Sequence, residues 1–397
     1  MSLVRRVPPA YSPISLGQIG LGVRGLFADR ERLEQRAREA VKALIGTDEV
    51  IFTDSGTSAL RLALEIACRP AKSPVVALPA YSCYDVATAA VGAGVKVRLY
   101  DIDARTLGPD WESLRETCAG GVDAVVIAHL FGYAVDVDAA RSLCEQHGTV
   151  LIEDAAQGAM GTWRGQALGT LGDLSILSFG RGKGMSAGGG GMLRAASRYA
   201  CELPEPNQVT RGKAARGWFE VVKLAAQWGF GVPGTYWLPA SIPFLKLGET
   251  AYREPHVPGA APASVLATLP LVQHRNHRGE LLARITHAVQ LYKLLDGCSH
   301  VSLVAGLRDS QPGYLRFPVV SRMHPRTTGS AGRLGVVRSY PQTLRSVLAR
   351  VHASMLEDAG KPLTGSVELA ASLWTLPTHS RLTGADVAAA ADVVLNW

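Results

Sequence analysis

Apolar residues in the first half of the chain form short continuous runs, and stretches of helical periodicity separate these runs. The runs predict strands at Val50–Thr53, Val75–Pro79, Val95–Tyr100, Ala124–Ala128 and Thr149–Ile152. The stretches between them predict helices at roughly Asp29–Leu44, Ala59–Cys68, Val86–Gly92 and Asp138–His147. Continuous apolar strands that alternate with helices are typical of a parallel sheet covered on both faces. The pattern therefore predicts an α/β fold with a mostly parallel sheet between helices.

After Leu193 the alternation stops and an aromatic-rich segment follows. Residues Ser197–Pro258 carry Trp218, Phe219, Trp228, Phe230, Tyr236, Trp237 and Phe244, together with Arg211, Lys213 and Arg216. This segment could be a substrate lid, a membrane-surface helix or an insertion at a subunit interface. Aromatic-rich helices pack against protein more often than they bind membranes, which favours the lid or the interface.

The last third of the chain has a separate pattern. A long helix, roughly Ser264–Leu295, leads into a smaller α+β region that ends in a helix over Gly384–Trp397. We therefore predict a large domain over residues 1–255, with the aromatic-rich insertion at about 197–258, and a smaller C-terminal domain over residues 256–397. At 397 residues the chain is long enough for two such domains.

Composition restricts the class of protein further. With 47% hydrophobic and 19% charged residues, the chain resembles an ordinary soluble enzyme. The net charge of +7 comes from residues spread along the chain, which favours an anionic cofactor or substrate over nucleic acid. Six scattered cysteines without a CxxC pair argue against a metal site and a disulfide framework, and they favour a reducing cytoplasm. We expect neither a signal peptide nor a transmembrane span.

Polar residues follow several of the predicted strands, at the edge where parallel sheets bind ligands. Ser55, Gly56 and Thr57 follow the first strand and precede a helix. A helix N-terminus with free amide groups is a ready site for an anion such as phosphate. The alternative is that Ser55 and Thr57 only cap the helix.

Two further residues indicate specific chemistry. Asp154 follows an apolar strand, and Lys183 lies between glycines after the segment that ends in Ser178-Phe179. A lysine amine can form a Schiff base with a carbonyl, and a carboxylate can keep a ring nitrogen protonated. Pyridoxal 5′-phosphate (PLP) needs both partners. The alternatives are a surface lysine and a helix-capping aspartate, whereas a P-loop is excluded because Gly184, not Ser or Thr, follows the lysine.

Several motifs in this order resemble those of the DegT/DnrJ/EryC1/StrS aminotransferases. They are Ser55–Leu60 (SGTSAL), Pro79–Ser82 (PAYS), Asp101–Asp103 (DID), His129–Gly132 (HLFG), Glu153–Gly158 (EDAAQG), Ser178-Phe179 followed by Lys183, and Leu376–His379 with Leu382-Thr383. The resemblance covers nearly the whole chain. It implies a fold-type I PLP enzyme of the kind that mostly aminates keto-sugars attached to nucleotides.

The resemblance also implies roles for individual residues. Lys183 would be the Schiff-base lysine, Asp154 would pair with the pyridinium nitrogen, and Gln157 would lie near the phenolic oxygen. The remaining implied cofactor contacts are Ser55, Gly56, Thr57 and Ser178 at the phosphate, Cys83 and Tyr84 where the family carries a stacking aromatic residue, and His129 at the ring pocket. Gln157 and His129 could equally be ordinary polar residues of the fold.

Departures from the family pattern leave the acceptor substrate open. The glycine run Gly188–Gly191 lacks the usual Asp, and Tyr252-Arg253 lacks the Asn of the family's Asn-Tyr-Arg segment. We expect a PLP-dependent aminotransferase that uses glutamate or glutamine as donor and a keto-sugar or other small carbonyl acceptor, in a homodimer with shared sites. The alternatives are elimination, substitution or carbon–carbon bond formation on an amino acid, or a PLP-binding sensor or an idle subunit. The presence of Lys183 disfavours only the idle subunit.

Overall fold

The computed structural model of the protein describes residues 5–47, 49–69, 71–204, 209, 216–242, 250–272, 275–323, 329–357 and 360–397. Its strands are β1 Val50–Thr53, β2 Val75–Pro79, β3 Lys96–Tyr100, β4 Ala124–Ala128, β5 Val150–Asp154, β6 Thr162–Trp163, β7 Gln166–Ala167, β8 Leu174–Ser178, β9 Gly191–Ala195, β10 Val301–Leu303, β11 Ser310–Gln311, β12 Phe317–Ser321, β13 Val337–Arg338 and β14 Leu373–Leu376. Its α-helices within these ranges are α1 Leu16–Gly25, α2 Arg30–Ile45, α3 Gly56–Ala67, α4 Tyr84–Ala93, α5 Trp111–Ala119, α6 Val137–His147, α7 Trp218–Phe230, α8 Trp237–Ala240, α9 Ala263–Thr268, α10 Arg275–Leu295, α11 Gly329–Arg333, α12 Leu344–Val351, α13 Thr364–Ser372 and α14 Gly384–Leu395.

The largest sheet has seven strands in the order β1-β9-β8-β5-β4-β2-β3. The strands β3, β2, β4, β5 and β8 are parallel, whereas β9 is antiparallel to both of its neighbours, β8 and β1. The strand β1 therefore points in the same direction as the parallel set. As a result, the carboxyl ends of β1, β2, β4, β5 and β8 all lie at one edge of the sheet, and the predicted α/β fold with a mostly parallel sheet is confirmed.

Both faces of this sheet are covered, which is why its strands lack polar alternation. In β4 all five residues are buried. Val125 and Ile127 pack into one hydrophobic core, and Ala124 and Val126 pack into a second core on the opposite face. Because successive side chains of a strand point to opposite faces of the sheet, β4 contributes side chains to both cores.

A second sheet, in the order β10-β12-β14-β13, is built from the C-terminal part of the chain. Its buried side chains, such as Phe317 and Trp374, pack against α10 and α14 in a third core. The boundary at residues 255/256 remains a prediction, because packing crosses it in both directions. Helix α9 packs into a core of the large sheet, and Val7 packs into the C-terminal core.

Several elements differ from the sequence-based expectation. The helix expected from Ala59 begins at Gly56, because the Ser55 hydroxyl caps it by accepting a 3.1 Å hydrogen bond from the amide of Ser58. The single helix expected over 264–295 is divided into α9, a 3₁₀ turn at Leu269–Leu271 that contains Pro270, and α10. Helix α1, which begins with a capping box of Ser15 and Gln18, was not expected at all. Within the described residues, no helix combines the length and the apolar character that a membrane span requires.

Candidate active site

A cavity of about 840 Å³ opens at the carboxyl edge of the large sheet. Eight of the ten predicted site residues line it: Ser55, Gly56, Thr57, Cys83, Asp154, Gln157, Ser178 and Lys183. They come from the ends of β1, β2, β5 and β8 and from the loops that follow. The parallel arrangement therefore brings together side chains that lie far apart in the sequence.

The first wall of the cavity is the N-terminal end of α3. The Ser55 hydroxyl satisfies the amide of Ser58, so the amide groups of the preceding residues of the first turn have no acceptor within the helix. A Cβ atom on Gly56 would lie only 2.8 Å from the Cβ of Ser178, so the glycine lets the end of β8 approach this turn. The Ser178 hydroxyl thus lies beside amide donors, and the group forms a cradle suited to phosphate.

Asp154 is the last residue of β5 and is buried. Its Oδ1 accepts a 2.9 Å hydrogen bond from the amide of Ala156. Burial raises the pKa of its carboxyl group, and this hydrogen bond and the positive charge of Lys183 partly oppose the increase. A cation placed beside Asp154 inside the cavity would act in the same direction as Lys183 and favour the carboxylate.

Lys183 lies on the loop that joins β8 to β9, and the N-terminal segment holds this loop in place. The Ser12 hydroxyl donates a 2.6 Å hydrogen bond to the carbonyl oxygen of Lys183. The Gln18 side chain donates to the carbonyl oxygen of Ser186 at 3.1 Å. At Gly184 a Cβ atom would lie 2.6 Å from the carbonyl oxygen of Ala159, so the loop packs tightly against its neighbour.

Gln157 is fixed by two partners outside the cavity. Its Oε1 accepts a 3.2 Å hydrogen bond from the amide of Phe131, and its Nε2 donates to the Tyr340 hydroxyl at 2.9 Å. Tyr340 in turn stacks on the ring of Phe131, with 5.8 Å between the ring centroids. Because the acceptor and one donor of the amide are engaged, one N–H of Gln157 remains for a group in the cavity.

Tyr84 and His129 are the two predicted site residues that do not line the cavity. The Tyr84 hydroxyl accepts a 2.9 Å hydrogen bond from the amide of Gln342, and its ring packs against Tyr340. His129 is buried, and its Nδ1 accepts a hydrogen bond from the amide of Val135. Both side chains turn away from the cavity because neighbouring backbone groups engage them.

The partner of His129 is Glu153, the residue before Asp154. The Nε2–H of His129 donates to Glu153 Oε1 at 2.9 Å, since Nδ1 is already an acceptor. Glu153 also accepts from the amides of Gly169, Leu171 and Gly172 and from the Ser175 hydroxyl. Burial tends to raise the pKa of Glu153, but the hydrogen bonds and the histidine outweigh it and lower the pKa to about 2. His129 and Glu153 therefore support the loop behind the cavity.

The aromatic-rich segment forms the opposite wall. Phe219, Lys223, Gln227 and Phe230 of α7 line the cavity, and so do Tyr236 and Pro239 after it. This placement agrees with a substrate-covering role, one of the three expectations for the segment. Of the residues named in the sequence analysis, Arg211, Lys213 and Phe244 lie outside the described residues.

Helix α7 rests directly on Gly188 and Gly189, the first two residues of the glycine run. A Cβ atom on Gly188 would lie 2.7 Å from Leu224 Cγ and 2.8 Å from the carbonyl oxygen of Glu220. Gly188 also has a φ of +84°, and Gly190 one of +85°, a region that favours glycine. The glycine run and the aromatic-rich segment therefore meet in one packing contact.

Cys83, at the position where the family carries a stacking aromatic residue, lines the cavity immediately before α4. Burial raises the pKa of its thiol to about 12, and Asp85 adds to this increase while Lys183 opposes it. The thiol is therefore neutral near pH 7 and contributes a small, weakly polar surface to the wall.

Comparison with known proteins agrees with this arrangement of strands and loops. Residues 28–199 match the model of the DegT/DnrJ/EryC1/StrS aminotransferase family. Over these residues, which are less than half of the chain, the sequence is similar to that family. The match covers all ten predicted site residues, whereas α7 and the C-terminal sheet lie beyond it.

Two curated relatives are informative about this family. The L-glutamine:2-deoxy-scyllo-inosose aminotransferase of Streptoalloteichus tenebrarius is 33% identical over 169 residues, which are 43% of this chain and 40% of that protein. The dTDP-4-dehydro-2,3,6-trideoxy-D-glucose 4-aminotransferase of Saccharopolyspora spinosa is 34% identical over 152 residues, 38% of this chain and 39% of that protein. The chain thus matches about two fifths of the length of these relatives.

Solved structures show the same fold over nearly the whole chain. The sugar aminotransferase CalS13 from Micromonospora echinospora superposes with a TM-score of 0.73 at 21% identity, covering 98% of this chain and 100% of that one. AtS13 from Actinomadura melliaura superposes with a TM-score of 0.75 at 19% identity, covering 99% of each. The chain therefore has the fold of the sugar aminotransferases, including the C-terminal sheet.

The residues of the cavity fit PLP as a group. The cofactor needs phosphate donors, an anionic partner for its ring nitrogen and an amine for its aldehyde. The first turn of α3 with Ser178 supplies the donors, Asp154 is a buried carboxylate, and Lys183 lines the same cavity. We find no group of three or more potential metal-binding side chains in the part of the chain that the structure describes.

Several cavity residues are not predicted from the sequence. Tyr11 and Ser12 come from the N-terminal segment, Arg181 comes from the loop of Lys183, and Lys223 comes from α7. The aromatic composition of the α7 region is the only signal for Lys223. Nothing in the local sequence around Ser12 indicates a contact with a lysine 171 residues later.

Proposed function

We propose that this protein is a PLP-dependent aminotransferase that moves an amino group from an amino acid donor to a keto-sugar or another small carbonyl acceptor in a biosynthetic pathway. One observation carries the proposal: Lys183 and Asp154 line one cavity together with the N-terminal end of α3 and Ser178. The match of residues 28–199 to the aminotransferase family supports the same activity.

The roles of the cavity residues follow from their chemistry. The amides of the first turn of α3 and the Ser178 hydroxyl would hold the phosphate of PLP, and Asp154 would hold the ring nitrogen protonated. The free N–H of Gln157 would donate to the phenolic oxygen. When bound, PLP withdraws electrons from the bonds of the carbon that carries the amino group. Tyr84 and His129 would not contact the cofactor and would instead hold the walls of the cavity in position.

Lys183 would supply the acid–base chemistry. Its Nζ would accept the proton of the donor's α-carbon and deliver a proton where the amino group is transferred. A base in this role must reach the carbon from a fixed position, and the hydrogen bond from Ser12 to the Lys183 backbone supports such a position. Glutamate and glutamine are the proposed donors, because curated relatives are named as glutamine-dependent enzymes.

The acceptor is proposed from the relatives and from the cavity. One relative is named for a keto-cyclitol and another for a dTDP-linked keto-sugar, both of which carry a ketone on an oxygen-rich ring. A cavity of about 840 Å³ is large enough for a cofactor with a substrate of this size. The two acceptor types differ in charge, so they can be separated by experiment.

The proposed reaction can be tested in two halves. The PLP-loaded protein is mixed with L-glutamine or L-glutamate, and pyridoxamine phosphate is quantified by chromatography. We expect stoichiometric formation, followed by its consumption when 2-deoxy-scyllo-inosose or a dTDP-4-dehydro sugar is added. Release of ammonia and pyruvate from added L-serine, without pyridoxamine phosphate, would instead establish an elimination, and no conversion with any donor would contradict an aminotransferase.

The role of Lys183 has a test that does not need turnover. Treatment of the PLP-loaded protein with borohydride should fix the cofactor on the peptide that contains Lys183, as detected by mass spectrometry. Lys183→Ala should abolish this labelling. Lys223→Ala, which removes another lysine of the same cavity, should retain it. Labelling of a different lysine in the Lys183→Ala protein would refute the assignment.

We also propose that the protein is a homodimer located in the cytoplasm. Exposed apolar side chains on neighbouring surfaces support the dimer: Phe27, Trp218 and Val222 are 69%, 57% and 60% exposed, and the rings of Phe27 and Trp218 lie 5.9 Å apart. Six free thiols are compatible with a reducing compartment. Sedimentation analysis of the wild type and of Trp218→Ser tests the dimer, because a monomeric wild type would exclude it.

A further inference from the structure

The loop of Lys183 carries a second cation, Arg181, which lines the same cavity two residues earlier in the chain. Two other cationic side chains line the cavity besides Lys183. Lys223 lies 3.4 Å from Glu220 Oε1 and 4.3 Å from the ring centroid of Phe219, so it already has partners. Arg253 belongs to a different wall, where its carbonyl oxygen accepts a hydrogen bond from Thr88 of α4. Arg181 is therefore the cation beside Lys183.

Arg181 has no carboxylate within salt-bridge distance in the described part of the chain, and its side chain is exposed to the cavity. Tyr236, in the segment that follows α7, lines the cavity with it. Burial raises the pKa of the Tyr236 hydroxyl, and the charges of Arg181, Arg6 and Arg316 all act against this increase. Three guanidinium groups thus act electrostatically on one hydroxyl.

The two arginines behind Tyr236 are held by backbone groups. The backbone amide of Arg6 donates to the carbonyl oxygen of Pro233, and its Nη1 donates to that of Ala240, on either side of Tyr236. Arg316 donates to the carbonyl oxygens of Gly335 and Thr375. Within the described residues, the Nε of Arg6 and the Nε of Arg316 are buried and have no hydrogen-bond partner. Among the residues that the structure describes, no carboxylate lies within salt-bridge distance of Arg6, Arg181 or Arg316.

An amino acid donor brings the missing negative charge. Its α-carboxylate is bonded directly to the carbon from which Lys183 would take a proton, so it must lie within a few ångströms of that amine. A guanidinium group two residues from Lys183 can meet both oxygens of a carboxylate with parallel N–H donors, and a tyrosine hydroxyl can add a third. The donor's α-carboxylate must therefore lie near Lys183, and Arg181 is on the same loop.

We propose that Arg181 and the hydroxyl of Tyr236 bind the α-carboxylate of the amino donor, and that Arg6 and Arg316 maintain the positive potential of this subsite. The assignment rests on the proposed aminotransferase function. It makes Arg181 a specificity-determining residue for the donor, and it requires that the acceptor be recognised by other groups, among which the α7 side chains face the same cavity.

Binding of glutarate to the PLP-loaded protein tests the subsite without turnover. Glutarate carries the donor's carboxylates but has no amino group, so it cannot react with the cofactor. Isothermal titration is carried out on the wild type, Arg181→Gln, Arg181→Lys and Tyr236→Phe. We expect Arg181→Gln to weaken binding roughly tenfold or more, Arg181→Lys to restore part of the loss, and Tyr236→Phe to weaken binding by a smaller factor.

A charge-matched control decides whether the effect is local. Arg308→Gln removes an exposed arginine outside the cavity. This variant should bind glutarate within about twofold of the wild type. An equal loss in Arg308→Gln and Arg181→Gln, or unchanged binding in Arg181→Gln, would overturn the assignment. Unfolding temperature and PLP absorbance confirm that each variant is folded and loaded.

This experiment also separates the two proposals. If glutarate binds through Arg181 but no donor forms pyridoxamine phosphate, the subsite stands and the aminotransferase function falls. If donors are converted and Arg181→Gln binds glutarate as the wild type does, the function stands and the subsite falls.

Discussion

Ser12 and Lys183 are joined by a 2.6 Å hydrogen bond from the serine hydroxyl to the lysine carbonyl oxygen, although 171 residues separate them. The bond links the N-terminal segment to the loop that carries the proposed base. The same segment is held from the C-terminal part of the chain, since Arg284 donates to the carbonyl oxygen of Tyr11 and His379 donates to that of Pro8. The position of Lys183 therefore depends on both ends of the protein.

Replacing Ser12 with alanine should loosen this loop. Loss of one buried hydrogen bond should reduce the free energy of unfolding by about 1 kcal/mol. We also expect slower borohydride fixation of PLP, because Lys183 would be less well positioned. Ser12→Thr retains the hydroxyl and serves as the control. Equal labelling rates in Ser12→Ala and the wild type, measured by mass spectrometry, would show that the bond does not position the lysine.

Asp154→Asn should lower the rate of amino transfer without lowering the stability of the fold. The substitution keeps the shape of the side chain and an oxygen for the amide of Ala156, but it removes the charge. We expect an unfolding temperature close to that of the wild type and a loss of amino transfer of roughly 10²-fold or more, the range for removing one key electrostatic group. Stopped-flow absorbance of the bound cofactor measures the rate. Wild-type rates in this variant would exclude Asp154 as the partner of the ring nitrogen.

Gly188→Ala tests the packing of α7 on the glycine run. The alanine would have to adopt the positive φ of this position, and its Cβ atom would clash with Leu224 and with the carbonyl oxygen of Glu220. Gly94→Ala is the matched control, since Gly94 has a φ of +68° and nothing within 4 Å of the added atom. We expect the control to lose about 1 kcal/mol from the left-handed backbone alone and Gly188→Ala to lose at least twice as much. Urea denaturation measures both, and equal losses would mean that α7 does not rest on this position.

Acidification should weaken the fold through His379. Burial is the main cause that lowers the pKa of its imidazole from the ordinary 6.5 to about 4. Between pH 4 and pH 6.5 the unfolded chain binds a proton at His379 that the folded protein does not bind. The free energy of unfolding is therefore unaffected by His379 above about pH 6.5 and decreases as the pH falls towards 4. The expected decrease approaches roughly 3 kcal/mol.

The matched variant is His379→Gln, which can still donate to Pro8 but does not titrate. Its urea midpoint should change less than that of the wild type between pH 7 and pH 5. Parallel pH profiles for the two proteins would assign the acid sensitivity to another group.

The sequence predicted the parts of the site that depend on strand periodicity. The residues at the ends of β1, β5 and β8 were placed correctly at one edge of the sheet, because parallel strands must share that edge. The orientation of a side chain in the loop after a strand is a different matter. His129 precedes Phe131, whose φ of +55° turns the chain sharply, and Tyr84 begins a helix whose tertiary neighbours engage its hydroxyl. The local sequence pattern indicates neither the turn at Phe131 nor the tertiary hydrogen bond of Tyr84.

The wall formed by α7 illustrates a second limit. Its contact with Gly188 joins the aromatic-rich segment to the glycine run, and nothing in the sequence pattern indicates that the two meet. The glycine run and the position of α7 explain each other, because the close approach of the helix leaves no room for a side chain at Gly188. The contribution of Ser12 was equally inaccessible, because a hydrogen bond between remote segments leaves no periodic signal.

The direct seating of α7 on glycines has a consequence for how this protein can change over time. The residues proposed to hold the cofactor lie between Ser55 and Lys183, and those of the opposite wall lie between Phe219 and Pro239. Substitutions along the inner side of the helix can therefore reshape the space for a new substrate without disturbing the strand ends that are proposed to hold the cofactor. Genetic variation in one short stretch would be enough to diversify the products of a biosynthetic pathway while its chemistry is inherited unchanged.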